Sequence, residues 1–178
     1  MQGLFSMKIS VIINTYNAEK HLATVLETVN DFDEVVICDM RSSDRTIAIA
    51  EQYGCKIVYC ERYPYVEPAR NFAIAQAQYP WVLVIDADET IPTKLREYLY
   101  QITENPTIGG VYIPFKNYFI DQYMRSAYPD FKLRFFKKEG ADENGVQAPR
   151  GSMARTARAW LSRAYSSCWW RVNSWRDA

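Results

Sequence analysis

Asp86-Ala-Asp88-Glu89 has the most chemistry to offer, directly after the apolar run Trp81-Val-Leu-Val-Ile85. Side chains alternate faces in an extended chain, so acids two apart point the same way. Two carboxylates at a strand end make a hard oxygen site. Mg2+ and Mn2+ favour such ligands, and Mg2+ takes one or two carboxylates plus substrate phosphates. A divalent ion there bridges a diphosphate and neutralises its charge as it leaves. An isolated Asp-x-Asp is more often a solvated acidic turn, so placement after a buried strand carries this reading. Asp39 closes a second apolar run, Glu34-Val-Val-Ile-Cys38. In nucleotide-binding sheets an acid there accepts hydrogen bonds from base or ribose; otherwise it caps a turn. Arg70, in Glu67-Pro-Ala-Arg-Asn71, lies at a helix start. A guanidinium there meets a phosphate or holds an acid in place, and a surface ion pair is the plainer alternative.

These residues need a sheet to position them, and the chain supplies one. Lys8-Ile-Ser-Val-Ile-Ile13 is a β-branched run of the kind buried on both faces. Asn14-Thr-Tyr-Asn17 breaks it, and Ala18 to Val29 carries Leu22, Val25, Leu26 and Val29 at helical spacing, with Asn17 as N-cap. A strand over 34–38, a helix over 46–53 closed by Gly54, and a strand over 56–59 follow. A helix over 68–78 opened by Pro68, a strand over 81–85 and a helix over 92–102 opened by Pro92 complete the repeat. Alternation of buried strands and helices predicts an α/β doubly wound parallel sheet with right-handed crossovers. Ligands bind beyond the carboxyl ends of such strands, where Asn14–Asn17, Asp39 and Asp86–Glu89 lie. From Gly109 the pattern changes: short aromatic strands over 111–113, 116–120 and 131–136 predict a small mixed-sheet C-terminal subregion.

Composition narrows the function. The 178 residues carry 21 Lys+Arg and 21 Asp+Glu, a balance that argues against a nucleic-acid partner. No apolar run approaches the ~20 residues that span a bilayer, and the start lacks a signal-peptide pattern. The expectation is therefore a cytoplasmic protein, with the six residues before Met7 an upstream-start artefact. Cys38, Cys55, Cys60 and Cys168 show no CxxC spacing and the only histidine is His21, so reduced, buried thiols are expected rather than zinc. His21 reads as a surface or partly buried helix residue. No GxGxxG, Walker or GxSxG pattern is present.

Four segments in order resemble the family 2 inverting glycosyltransferases. They are Ile9-Ser-Val-Ile-Ile-Asn-Thr-Tyr-Asn17, Glu34-Val-Val-Ile-Cys-Asp-Met-Arg-Ser-Ser-Asp-Arg-Thr46, Ala69-Arg-Asn-Phe-Ala-Ile74 and Val82-Leu-Val-Ile-Asp-Ala-Asp-Glu89. Tyr112–Phe119 and Tyr128–Lys137 look like a subgroup acting in lipopolysaccharide core or other cell-surface glycan assembly. The resemblance implies a GT-A fold, a Rossmann-like parallel-core sheet flanked by helices, over residues 1–140. It implies transfer of a sugar, with inversion, from a nucleoside-diphosphate sugar (UDP by default) to a glycan or lipid-linked acceptor hydroxyl. Mg2+ or Mn2+ would assist. Asn14 and Tyr16 would flank the base, Asp39 would bind base or ribose, and Arg70 would lie near the nucleotide. Asp86 and Asp88 would form the metal motif, with Asp88 the direct ligand. The general base would be Asp130, with Asp121 second. The small residues usual after the second-strand acid are replaced by Arg41-Ser-Ser-Asp-Arg45, a change expected to tighten or occlude the donor loop.

Residues 141–178 depart from the body: no Lys or Ile, six Arg, and four of the five tryptophans. They read as a frameshifted or fused tail, or as a helix contacting the acceptor or the inner face of the plasma membrane. A catalytically incomplete chain that only binds nucleotide, or merely folds, is the alternative to an active transferase. A nucleotidyltransferase would share the sheet and the metal, but it would carry a Gly-rich basic loop where Asn14–Asn17 stands.

Overall fold

The computed structural model describes residues 7–62, 67–115, 118–119, 122–123 and 130–139. Residues 141–178 and Asp121 lie outside them. The elements are β1 (Ile9–Thr15), α1 (Leu22–Val29), β2 (Glu34–Asp39), α2 (Thr46–Gln52), β3 (Lys56–Tyr59), α3 (Glu67–Ala75), β4 (Trp81–Asp86) and α4 (Thr93–Thr103). After them come β5 (Gly110–Phe115), β6 (Tyr118–Phe119), β7 (Gln122–Tyr123) and β8 (Asp130–Lys137).

Six strands form one sheet in the order β3-β2-β1-β4-β8-β5. β1 pairs in parallel with both β2 and β4, and β2 with β3. The expected α/β parallel core is therefore present, and the carboxyl ends of β1, β2 and β4 lie side by side: Asn14 is level with Cys38 on one flank and Asp86 on the other. The mixed part is less separate than the sequence suggests. β8 runs antiparallel to β4 and to β5, so both late strands extend the main sheet; only β6 and β7 form their own small pair.

Burial explains the join. Every residue of β1 is buried, as its run of apolar residues requires for a central strand. Odd residues Ile9, Val11 and Ile13 enter one core with α1, α4 and β5. Even residue Ile12 enters a second core with Ala69, Ala73 and Ile74 of α3. Trp81 and Phe135 stack at 4.7 Å between ring centroids, which fastens β8 against β4. Gly54 closes α2 with φ +67°, the left-handed position that suits glycine.

The expected Asn17 cap is not formed. α1 begins at Leu22, and its N-cap position is His21, which makes no side-chain capping bond. Asn17 adopts φ +48°, and its side-chain oxygen accepts a hydrogen bond from the Ser43 amide at 2.8 Å. The short polar side chain tolerates the left-handed conformation and ties two loops together instead of starting a helix.

If Phe135 anchors the sheet extension, Phe135→Ala should cost about 3–5 kcal/mol in denaturant unfolding. Phe131→Ala, on the same strand but 38% exposed, should cost under about 1 kcal/mol.

Candidate active site

The site begins at the turn that ends β4. The Asp86 amide donates to Glu89 Oε2 at 2.9 Å, and the Glu89 amide donates back to the Asp86 carbonyl at 3.0 Å. This reciprocal pair fixes Asp86-Ala-Asp88-Glu89 as a closed turn at the carboxyl end of the strand.

Two arginines converge on Asp86. Arg70 of α3 donates to Oδ1 at 2.9 Å. Arg134 of β8 donates to Oδ2 at 2.8 Å and reaches Oδ1 at 3.4 Å. Arg134 also lies 3.3 Å from Glu89 Oε1, with both side chains almost fully buried. Burial would raise the Asp86 pKa, but the hydrogen bond and charge of Arg134, followed by the charge of Arg70, hold it below the ordinary carboxylate range.

Its neighbours shift the other way. Burial, then the charge of Asp86, pushes Glu89 up to about 7. Burial and Asp86 likewise raise Asp88. Among the described residues Asp88 forms no ion pair within 4.0 Å. It receives only its own amide and the more distant charges of His21 and Arg134. The two acids of the motif are therefore unequal. Both Asp86 oxygens accept from arginines, whereas Asp88 has no side-chain ion pair among the described residues. Among the described residues no cluster of three or more metal-ligating side chains stands ready-made. The donor set fits a divalent ion that completes its shell with phosphate oxygens.

The other expected residues divide. Asn14 stands at the end of β1 beside Asp86, and both its amide atoms are buried without a hydrogen-bond partner. Arg70 Nε is buried and unpartnered as well. Native proteins rarely leave such groups unmatched unless a ligand or water meets them. Tyr16 is half-buried, with the Arg62 guanidinium 4.2 Å above its ring and bonded to its hydroxyl at 3.0 Å.

Asp39, read from the sequence as a base or ribose acceptor, closes β2. It is fully buried. Thr15 Oγ1 donates to it at 2.8 Å, the Ser42 amide at 2.8 Å and the Ser42 hydroxyl at 2.6 Å. In this conformation its carboxylate ties the β1 and β2 loops together. Arg41, at φ +64°, turns outward to Glu61 at 3.3 Å, and Arg45 pairs with Glu19 at 3.2 Å. Both pairs lie on the exposed side of the loop. Asp130 opens β8, half-exposed, with Lys132 Nζ at 3.5 Å, and its charge reaches Arg134.

Spacing in the sequence does not point to Arg134, and the reason is a bulge. The β5–β8 register passes from Tyr112↔Leu133 to Val111↔Phe135. Arg134 is thus the extra residue, brought to the same side as Phe135. The adjacent apolar pair in Leu133-Arg134-Phe135-Phe136, which breaks strict alternation, is the one signal the sequence holds.

A family profile described as glycosyl transferase family 2 matches residues 10–164. The chain belongs to glycosyl transferase family 2. It is 32% identical over 100 residues to the lipopolysaccharide core biosynthesis glycosyltransferase LpsC of Rhizobium meliloti, covering 54% of this chain and 37% of LpsC. Staphylococcus aureus TarS in complex with UDP superposes with TM-score 0.64 at 23% identity, over 89% of this chain and 55% of TarS. A Pyrobaculum calidifontis mannosyltransferase in complex with GDP-Man and Mn2+ superposes with TM-score 0.52 at 23% identity, over 63% and 36%. These two show a shared GT-A fold. The chain spans about a third of the length of the rickettsial glycosyltransferases that it also matches.

The shifted Glu89 makes a stability prediction for this family 2 domain. Its folded pKa, about 7, lies above the unfolded value of 4.5. Between those values the folded state holds a proton that the unfolded state has lost, so stability falls as pH rises through the window. Asp86, shifted downward, acts only below its ordinary value of 3.8. Glu89→Gln removes the Glu89 contribution. Between pH 5 and pH 8 its stability relative to wild type should therefore rise, by on the order of 1–3 kcal/mol in denaturant melts.

Proposed function

We propose that this chain binds a nucleoside-diphosphate sugar, UDP-linked by default, and transfers the sugar with inversion to a hydroxyl of a glycan or lipid-linked acceptor in cell-envelope polysaccharide synthesis. The observation that carries the reading is the convergence at the ends of β1 and β4. There the unpartnered amide of Asn14 and the unpartnered Nε of Arg70 are buried beside an acid pair of which only Asp86 is neutralised. The name of LpsC supports the envelope reading, and the UDP and GDP-Man complexes support the donor class. The cytoplasmic setting, at the inner face of the plasma membrane, belongs to the same proposal.

Asp88 would hold Mg2+ or Mn2+ by one carboxylate. The ion, when bound, supplies positive charge to the diphosphate as it departs. Arg70 fixes Asp86 and offers its remaining N–H to the nucleotide. Asn14 offers one donor and one acceptor beside it, and Tyr16 offers a ring face. Asp130 would accept the acceptor hydroxyl's proton during in-line attack. Its place on β8, the strand that also carries Arg134, links acceptor chemistry to the acid turn.

Calorimetric titration of UDP with and without Mn2+ tests the donor half. Mn2+ should tighten UDP binding to the wild type, and Asp88→Ala should lose roughly tenfold or more of the Mn2+-supported affinity. Equal affinity of the two proteins would remove Asp88 from the metal role. Asp130→Asn should bind UDP within about twofold of wild type while transfer falls roughly 10²–10⁴-fold. Nucleotide binding by wild type without any transfer would assign the incomplete-chain reading instead.

A further inference from the structure

We infer that Arg134 is a built-in countercation that limits the acid turn to one divalent ion and makes its binding depend on the donor's diphosphate. The inference rests on the metal reading above and adds a device to it. Three carboxylates, Asp86, Asp88 and Glu89, share one four-residue turn. Arg134 is held among them at 2.8 Å from Asp86 Oδ2 and 3.3 Å from Glu89 Oε1. Its side chain is 8% exposed, and its guanidinium lies 5.4 Å from the centre of the Phe115 ring. The bulge in β8 delivers it there, so its position is set by the strand rather than by a mobile surface rotamer.

The consequence follows from which oxygens remain. Both Asp86 oxygens accept from arginines. One Glu89 oxygen faces Arg134 and the other accepts the Asp86 amide. Of the three carboxylates in the turn, Asp88 alone has neither an ion pair nor a partner side chain among the described residues. One carboxylate is a weak magnesium or manganese site until phosphate oxygens join it. A guanidinium cannot shed its proton in a protein, so the restriction persists at any working pH. Arg134 thus prevents the turn from gathering a cation before the nucleotide arrives.

The test is Mn2+ binding to the full chain, read by the electron paramagnetic resonance signal of free Mn2+, with and without UDP. Wild type should bind Mn2+ weakly alone and at least tenfold more tightly with UDP. Arg134→Gln uncovers Asp86 Oδ2 and Glu89 Oε1, so unaided Mn2+ affinity should rise about tenfold and the UDP dependence should shrink. Arg134→Lys, which keeps the charge, should behave as wild type; loss of folding alone would not produce a gain of affinity that lysine reverses. Unaided affinity unchanged or lowered in folded Arg134→Gln overturns the inference while the metal reading stands. Wild type that binds no Mn2+ even with UDP overturns both. If Arg134→Gln fails to fold by circular dichroism, Asp86→Asn and Asp88→Asn decide. The inference requires Mn2+ affinity with UDP to fall less in the first, which removes a charge the arginines already hold, than in the second, which removes the ligand. Equal losses overturn it.

Discussion

Asp86 receives guanidinium groups from two elements far apart in sequence, Arg70 of α3 and Arg134 of β8. Much of the site depends on this junction. It fastens the helix and the late antiparallel strand to the end of the same parallel strand. Its guanidinium groups hold Asp86 low, while burial, and then the charge of Asp86, raises Glu89 and Asp88. Removing one partner from a buried, hydrogen-bonded charge group strands the rest without compensation. The junction is therefore structural and chemical at once. It also explains why two acids in one short motif differ in partners and in the direction of their pKa shifts.

A second clasp lies across the neighbouring loops. Asp39 draws in Thr15 and Ser42, Asn17 takes the Ser43 amide, and Asp44 accepts from the Glu19 and Thr46 amides. Short polar side chains substitute for regular secondary structure and hold the ends of β1 and β2 at fixed separation. Arg41 and Arg45 sit outside the clasp, paired with Glu61 and Glu19. These loops are thus held by their own bonds, with Asn14 and Tyr16 beside them.

The parallel core was legible because buried strands announce themselves as continuous β-branched runs, and β3 falls at Lys56–Tyr59 as the sequence suggests. Asp86 and Asp88 stood out for a related reason, since polar residues directly after such runs lie at strand ends; Arg70 stood out at the start of α3 instead. Arg134 was not, since its role depends on a bulge that breaks alternation between Leu133 and Phe135 and on a strand pairing distant in sequence. The enclosure of Asp39 was also hidden. A carboxylate bound by hydroxyls near a strand end looks no different in sequence from one facing a ligand. Asn17 misled for a local reason, since the same side chain suits a helix N-cap and a left-handed loop position.

The most direct measurement is anomalous diffraction at the manganese edge from crystals grown with UDP and Mn2+. An acid pair divided between arginines and metal requires one manganese peak at ligand distance from Asp88 and from diphosphate oxygens, with Arg70 and Arg134 still bonded to Asp86. A manganese ion ligated by Asp86, with Arg134 displaced from it, would contradict that division.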